Sequence, residues 1–256
     1  MTNKFYFLIL LIIFNLNSNG QDKLKLSNLE AKNIITQLFE SNTFKNENEG
    51  LWKPNLYDKV NMPISDDGFC HTLVDTIIYS SINDYENAIV IFSSREYTNG
   101  IALSCHACSV MLSIATFTKV DKGWELTQFK KRFTNAGQYG ERGGYYKIVR
   151  LGKDLNCLLH HAEIDGGQGY FSGYNTFYSL EGYDDYKEVF QYRYYDTNEG
   201  AVEKNGFTDN TEIKIVKTSN FYKIELITKR ENKGIIKRRI FEYSEEMNSF
   251  LPKTIK

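Results

Sequence analysis

The sequence predicts a mostly β fold: an antiparallel meander that closes as a barrel, stacks as a sandwich or forms a curved sheet, with an N-terminal amphipathic helix ahead of it. Three observations point there. From Asp67 to the C-terminus, β-branched and aromatic residues alternate with polar ones at a period near two. Polar or Gly-containing turns interrupt these segments every ten residues or so, the rhythm of antiparallel strands. Before them, a stripe of apolar residues recurs at helical spacing.

The first segment is a predicted leader. Lys4 precedes an unbroken apolar run from Phe5 to Phe14, and a polar stretch then ends in Ser18-Asn19-Gly20. A run of about ten residues is too short to cross a hydrocarbon core of roughly 30 Å as a helix. The small residues Ser18 and Gly20 suit cleavage before Gln21. Residues 1–20 are therefore expected to be a signal peptide and 21–256 a single β-rich domain, secreted or periplasmic and not membrane-spanning. No Cys follows the leader to accept lipid, and only Pro54, Pro63 and Pro252 occur, so no Pro-rich linker divides the chain.

Ser27-Asn28-Leu29-Glu30 has the form of a capping box. The helix it introduces carries Leu29, Ile34, Ile35, Leu38 and Phe39 on one face and runs to about Asn42. Residues 46–67 are polar and irregular, a surface connection with Trp52 and Leu56 as anchors. Strands are expected over 88–93, 110–118, 124–129, 145–151, 155–164, 170–180, 188–195, 212–216, 221–229 and 235–243; residues 73–80 fit either a strand or a helix. The connections at 119–123, 152–154, 165–169 and 231–234 are short, so the strands flanking each should be hairpin neighbours.

Charge is uneven. Residues 21–213 hold 19 Lys and Arg against 27 Asp and Glu, about −8, whereas residues 214–256 hold 11 against 5, about +6. The basic tail could face an acidic partner or anionic polymer, but Lys and Arg near a sheet edge more simply deter edge pairing. No nucleic-acid-binding module accompanies the charge.

Four cysteines in an exported chain argue for two disulfides. Of three possible pairings, close spacing favours Cys105 with Cys108, which leaves Cys70 with Cys157. On the loop-entropy model the long bridge contributes roughly 4.6 kcal/mol and the small ring about 2. All four histidines lie near a cysteine: His71, His106, His160 and His161. Haem attachment needs His directly after Cys-x-x-Cys, where Ser109 stands. A thioredoxin-like centre needs a helix after the first Cys, where a strand is predicted. Zinc has a candidate set in Cys105, Cys108, His161 and Glu163, or Cys157 in place of the carboxylate. On a strand, Cys157, Leu159, His161 and Glu163 share one face, so His161 and Glu163 can converge on one ligand.

Tyr170, Ser172, Tyr174, Thr176 and Tyr178 also alternate onto one face, with Tyr192, Tyr194, Tyr145 and Tyr146 on neighbouring segments. Tyr170, Tyr174 and Tyr178 are a candidate platform for sugar rings or a protein partner, or else core and cross-strand pairs. Asp165-Gly166-Gly167-Gln168-Gly169 reads as a tight hairpin loop. Hydrolase signatures such as Gly-x-Ser-x-Gly and His-Glu-x-x-His are missing. Neighbouring carboxylates such as Glu163 with Asp165, or Asp184 with Asp185, are ordinary turn residues.

Cys105-His106-Ala107-Cys108, the alternating strand to Phe117 with its hairpin into Trp124, and the later Asp165-Gly166-Gly167-Gln168-Gly169-Tyr170 together resemble a group of uncharacterised exported bacterial proteins with a Cys-His-Ala-Cys signature. The resemblance spans about residues 87–180. That group often has Pro soon after the second Cys, where this chain has Ser109 and Val110. The resemblance implies no activity; it implies that Cys105 and Cys108 form one structural unit.

The expected function is that of an exported, disulfide-braced binding or inhibitory protein acting on an envelope protein or glycan. The alternative is an envelope enzyme, metal-dependent through His161 and Glu163 or thiol-dependent through Cys105 and Cys108.

Overall fold

Among the described residues, alternation along the chain builds two antiparallel eight-stranded sheets, with the helix Ala31–Phe39 packed on the first. The computed structural model describes residues 24–55, 58, 68–82, 85–105, 107–141, 143–180, 186–202, 206–218 and 221–253. The predicted leader, Leu56, His106, Asp184 and Asp185 lie outside the described residues.

The first sheet comprises β1 (Lys25–Leu26), β2 (Thr43–Asn46), β3 (Glu49–Trp52), β4 (Phe69–Ile82), β5 (Tyr85–Thr98), β6 (Ile101–Ala102), β7 (Val110–Val120) and β8 (Gly123–Ala136), with α1 (Ala31–Phe39) between β1 and β2. Its strand order is β1-β8-β7-β5-β4-β3-β2, and β6 pairs with β5. The second sheet is an uninterrupted meander of β9 (Tyr145–Arg150), β10 (Asn156–Gly167), β11 (Tyr170–Ser179), β12 (Glu188–Thr197), β13 (Thr208–Val216), β14 (Lys223–Arg230), β15 (Gly234–Ser244) and β16 (Ser249–Pro252). The question of closure resolves to a curled half-barrel sheet rather than a closed barrel.

Every one of the ten expected strands is present, and each short connection joins hairpin partners. The ambiguous 73–80 segment is strand, within β4. Three expectations are corrected. Residues 43–52, read in part as irregular, form the β2–β3 hairpin, where Trp52 is buried and its indole N–H donates to Thr72 Oγ1 at 2.8 Å. The capping box does not form: Glu30 is the N-cap with no side-chain cap, and Asn28 Oδ1 instead accepts from the Glu30 backbone N–H and from the Asn33 side-chain amide. The helix also stops at Phe39, ahead of Asn42, where Glu40 turns left-handed.

Three apolar clusters follow from the alternation. Ile34, Ile35, Leu38 and Phe39 of α1 meet Ala88, Val90 and Phe92 of β5 and Ala115 and Phe117 of β7. The intervening residues of the same strands, Ile89, Ile91, Leu112 and Ile114, face the other way and pack on Tyr146, Leu158, Tyr178 and Tyr186, joining the two sheets. Because β5 is buried on both faces, it reads as a continuous apolar run. Each such side chain contributes about 1.5–3 kcal/mol on burial. The second sheet wraps its remaining face around Leu159, Phe177, Phe190, Tyr192, Ile224 and Phe250.

The basic tail lies in β13–β16. Several of its charges are met locally: Arg230 forks onto Asp209 at 2.7 and 2.9 Å, Lys223 and Lys253 share Glu242, and Lys229 bonds Glu212. The sheet ends in the four-residue β16, which closes on Pro252, a short edge of the kind that resists further pairing.

Candidate functional site

The core face of the second sheet runs out toward solvent at the upper end of β9–β12, and there it carries a stack of aromatic rings. In the ladder, His161 of β10 stands opposite Tyr145 on one side and Asn175 on the other, while Glu163 stands opposite Gly173. A register shift between Gly173 and Tyr174 lets β12 present Tyr194 over Gly173. The His161 ring is thus held between Tyr145, at 4.6 Å and 22°, and Tyr194, at 4.2 Å and 23°. Its Nδ1–H donates to Asn175 Oδ1 at 2.8 Å, and the Asn175 amide donates to the Tyr192 hydroxyl at 2.7 Å. Tyr194 donates its hydroxyl proton to Glu163 at 3.0 Å. Burial, then the Glu163 hydrogen bond and charge, push the Tyr194 phenol well above its usual range, so Tyr194 stays a donor.

Beside the stack lies a cleft of about 470 Å³, lined by Gln138, Tyr139, Glu141 and Gly143 of the preceding loop, by Glu163, Asp165 and Phe171 of the β10–β11 hairpin, and by Tyr195 of β12. Gly144, at φ +69°, brings the loop against β10 so closely that a Cβ there would stand 1.6 Å from the His161 carbonyl oxygen. Gln138 fastens the loop to the hairpin: its amide donates to the Asp165 carbonyl at 2.6 Å and accepts from the Asp165 N–H at 2.7 Å. On the opposite side the Gly140 N–H donates to the Cys108 carbonyl at 2.8 Å, and the Ser104 hydroxyl donates to the Tyr139 carbonyl. The Cys105–Cys108 disulfide, with Cα atoms 4.9 Å apart, closes the turn that supplies these contacts. The small ring therefore braces the cleft wall.

The second predicted bridge is not formed. Cys70 lies in the core around α1 and Cys157 in the core of the second sheet, so both remain thiols in separate apolar surroundings. Burial above all, with the charges of Asp58 and Glu96, pushes the Cys70 thiol up to about 12. The zinc set is likewise corrected. His161 and Glu163 do share a face and meet the same Tyr194 ring, but the Cys105 and Cys108 sulfurs are bonded to each other. Among the described residues no group of three or more His, Cys, Asp or Glu is placed to hold a metal ion.

The tyrosine platform divides. Tyr170 is exposed on the hairpin. Tyr174 lies under Arg193, which sits 5.2 Å from the ring and donates to its hydroxyl at 2.8 Å. Tyr178 is only 6% exposed and packs edge-on against Phe133 of the first sheet, because its face of β11 is the one between the sheets. The aromatic surface is on the opposite face, built from Tyr145, His161 and Tyr194. The signal for it in the sequence was Gly173, the one residue without a side chain in the Tyr-rich strand, opposite Glu163.

His71 and His160 are structural. His71 Nε2 meets Glu49 Oε2 at 3.0 Å beneath β3, and burial, outweighing Glu49, lowers its pKa. His160 stacks on Tyr146 at 4.6 Å.

No protein-family model matches the chain, and neither a curated protein nor a solved structure is similar to it.

Proposed function

We propose that the chain is an exported binding or inhibitory protein, braced by the Cys105–Cys108 ring, whose partner in the cell envelope is a protein or a glycan seated on the Tyr145–His161–Tyr194 stack and the adjoining cleft. The observation that carries this reading is the cleft itself, walled by aromatic rings whose supports are all internal. Phe171 and Tyr139 stand 47% and 49% exposed beside it, and the exposed Ile164 adds to its apolar lining. Rigid aromatic side chains held by a hydrogen-bonded backing are what binding hot spots require. The leader supports export, and a stable disulfide in an exposed turn fits an oxidising compartment.

The test is capture of partners from envelope extract by the wild-type chain and by Phe171→Ser, a surface change that leaves both cores intact. Capture should fall about tenfold or more, as for loss of a hot-spot aromatic. Undiminished capture by the variant, with its fold unchanged, defeats the proposal.

A further inference from the structure

Two cations of the basic tail line one pocket. β12 pairs with β13 over Tyr195–Thr197 against Thr208–Asn210, and beyond those residues the two strands part. In the gap lies a pocket of about 460 Å³, distinct from the cleft although Tyr195 borders both. Register sets Arg239 opposite Leu226 and Lys237 opposite Thr228, so both stand on the face of the sheet that buries Leu226, where the core gives way to solvent. A bulge at Thr228–Lys229 adds Ile236 to the wall.

The two carboxylates of this pocket are already spent. Asp196 accepts from Ser172 on one oxygen and from Arg193 on the other, and Asp209 takes both arms of Arg230. Donors remain. Arg193 donates to the Tyr174 hydroxyl, which leaves the proton of that hydroxyl free, and the Thr211 and Thr228 hydroxyls bond each other at 2.9 Å, which leaves one of their two protons free. Among the described residues Lys237 has no hydrogen bond or ion pair, and Arg239 has only the Phe241 ring, 5.8 Å away. A separate observation points the same way: Arg239 Nε is shut off from solvent and has no acceptor. A charged donor enclosed in that manner is costly, and native chains rarely carry one unless something from outside supplies the acceptor.

We infer that this pocket binds a sugar carrying a sulfate or phosphate group. A tetrahedral oxyanion presents acceptors on several sides at once, which suits donors arriving from β11, from the Thr211–Thr228 pair and from β15, and a guanidinium beside an ammonium is the usual partner of such a group. The pocket is far larger than the ion. Tyr195 and Ile236 offer apolar surface to one face of a sugar ring, and Gln191 and the threonines offer polar groups to its hydroxyls. Residues 214–256 carry about +6, which favours the approach of an anionic ligand. A neutral sugar would leave both cations unmatched.

The experiment titrates the oxidised mature chain, with its arginines isotope-labelled, against N-acetylglucosamine bearing a sulfate, the same sugar bearing a phosphate, the plain sugar, and inorganic phosphate alone. At least one substituted sugar should shift the Arg239 Nε–H resonance, and the tighter of the two identifies the ion. The plain sugar should bind about tenfold more weakly or worse, and added salt should weaken the substituted sugars. Arg239→Met keeps an apolar stem over Phe241 and removes the enclosed donor, so it should lower affinity about tenfold while leaving the denaturant midpoint unchanged or higher. Lys237→Gln, at an exposed position, should lower affinity several-fold. No shift from either substituted sugar, equal binding of the plain sugar, inorganic phosphate binding as tightly as the substituted sugars, or unchanged affinity in both variants overturns the inference. The cleft is tested separately, by whether Phe171→Ser reduces capture.

Discussion

Gly173 lies directly beneath the ring of Tyr194. A Cβ at that position would come within 2.3 Å of Tyr194 Cζ, so the absence of a side chain on β11 is what lets Tyr194 lie flat against His161. Gly173→Ala must expel the ring or move the strand. Overpacking of this kind costs about 1–3 kcal/mol, which denaturant melts will read. Loss of the ring-current shift at the His161 protons will show that the stack has opened.

Tyrosine ionisation gives a second check. The Tyr194 phenol is raised by burial first and then by Glu163, so the folded state holds its proton more tightly than the unfolded chain does. Its contribution to stability is therefore fully present below the ordinary tyrosine range near pH 10 and is lost as the pH rises through the higher folded value. An absorbance titration of the folded protein should show a late tyrosinate step that Tyr194→Phe removes and Glu163→Gln brings earlier.

His71 predicts behaviour at the acid end. Burial, partly offset by Glu49, holds its pKa below 6.5, so the unfolded chain takes up the proton first. The stability that the neutral ring provides is present above about pH 6.5 and declines as the pH falls toward the folded value. His71→Gln should flatten this part of the stability–pH curve, measured as denaturant midpoint against pH.

Replacing Cys105 and Cys108 together by Ser should leave the overall fold in place and lower stability by on the order of 2 kcal/mol or less, as expected for a four-residue ring. The larger effect falls on the cleft wall. Amide exchange at Tyr139 and Gly140 should quicken, because the turn that accepts the Gly140 N–H and anchors Tyr139 is released.

The strands were legible because a half-buried strand must alternate, and β5, buried on both faces, announced itself as the unbroken run Ala88–Phe92. The helix stripe was legible for the same reason at a different period. The β2–β3 hairpin was not, since Thr43, Lys45 and Asn46 are exposed and leave almost no apolar alternation. Cys70 and Cys157 were misassigned because compartment and number say nothing about distance: one packs against α1 and the other inside the second sheet. For the site, the face shared by His161 and Glu163 was readable from strand parity. What they face was not, because Tyr194 reaches them through a register shift that spacing alone does not disclose. Tyr178 misled in the opposite sense, since identical alternation serves an exposed platform and an intersheet core equally well.

The two sealed sulfurs have a practical use. One sits under α1 and the other within the far sheet, so each can be alkylated only when its own half of the molecule opens. Timed labelling with mass detection thus turns Cys70 and Cys157 into two clocks. Equal rates mean that the halves breathe as one, and unequal rates name the half that gives way first.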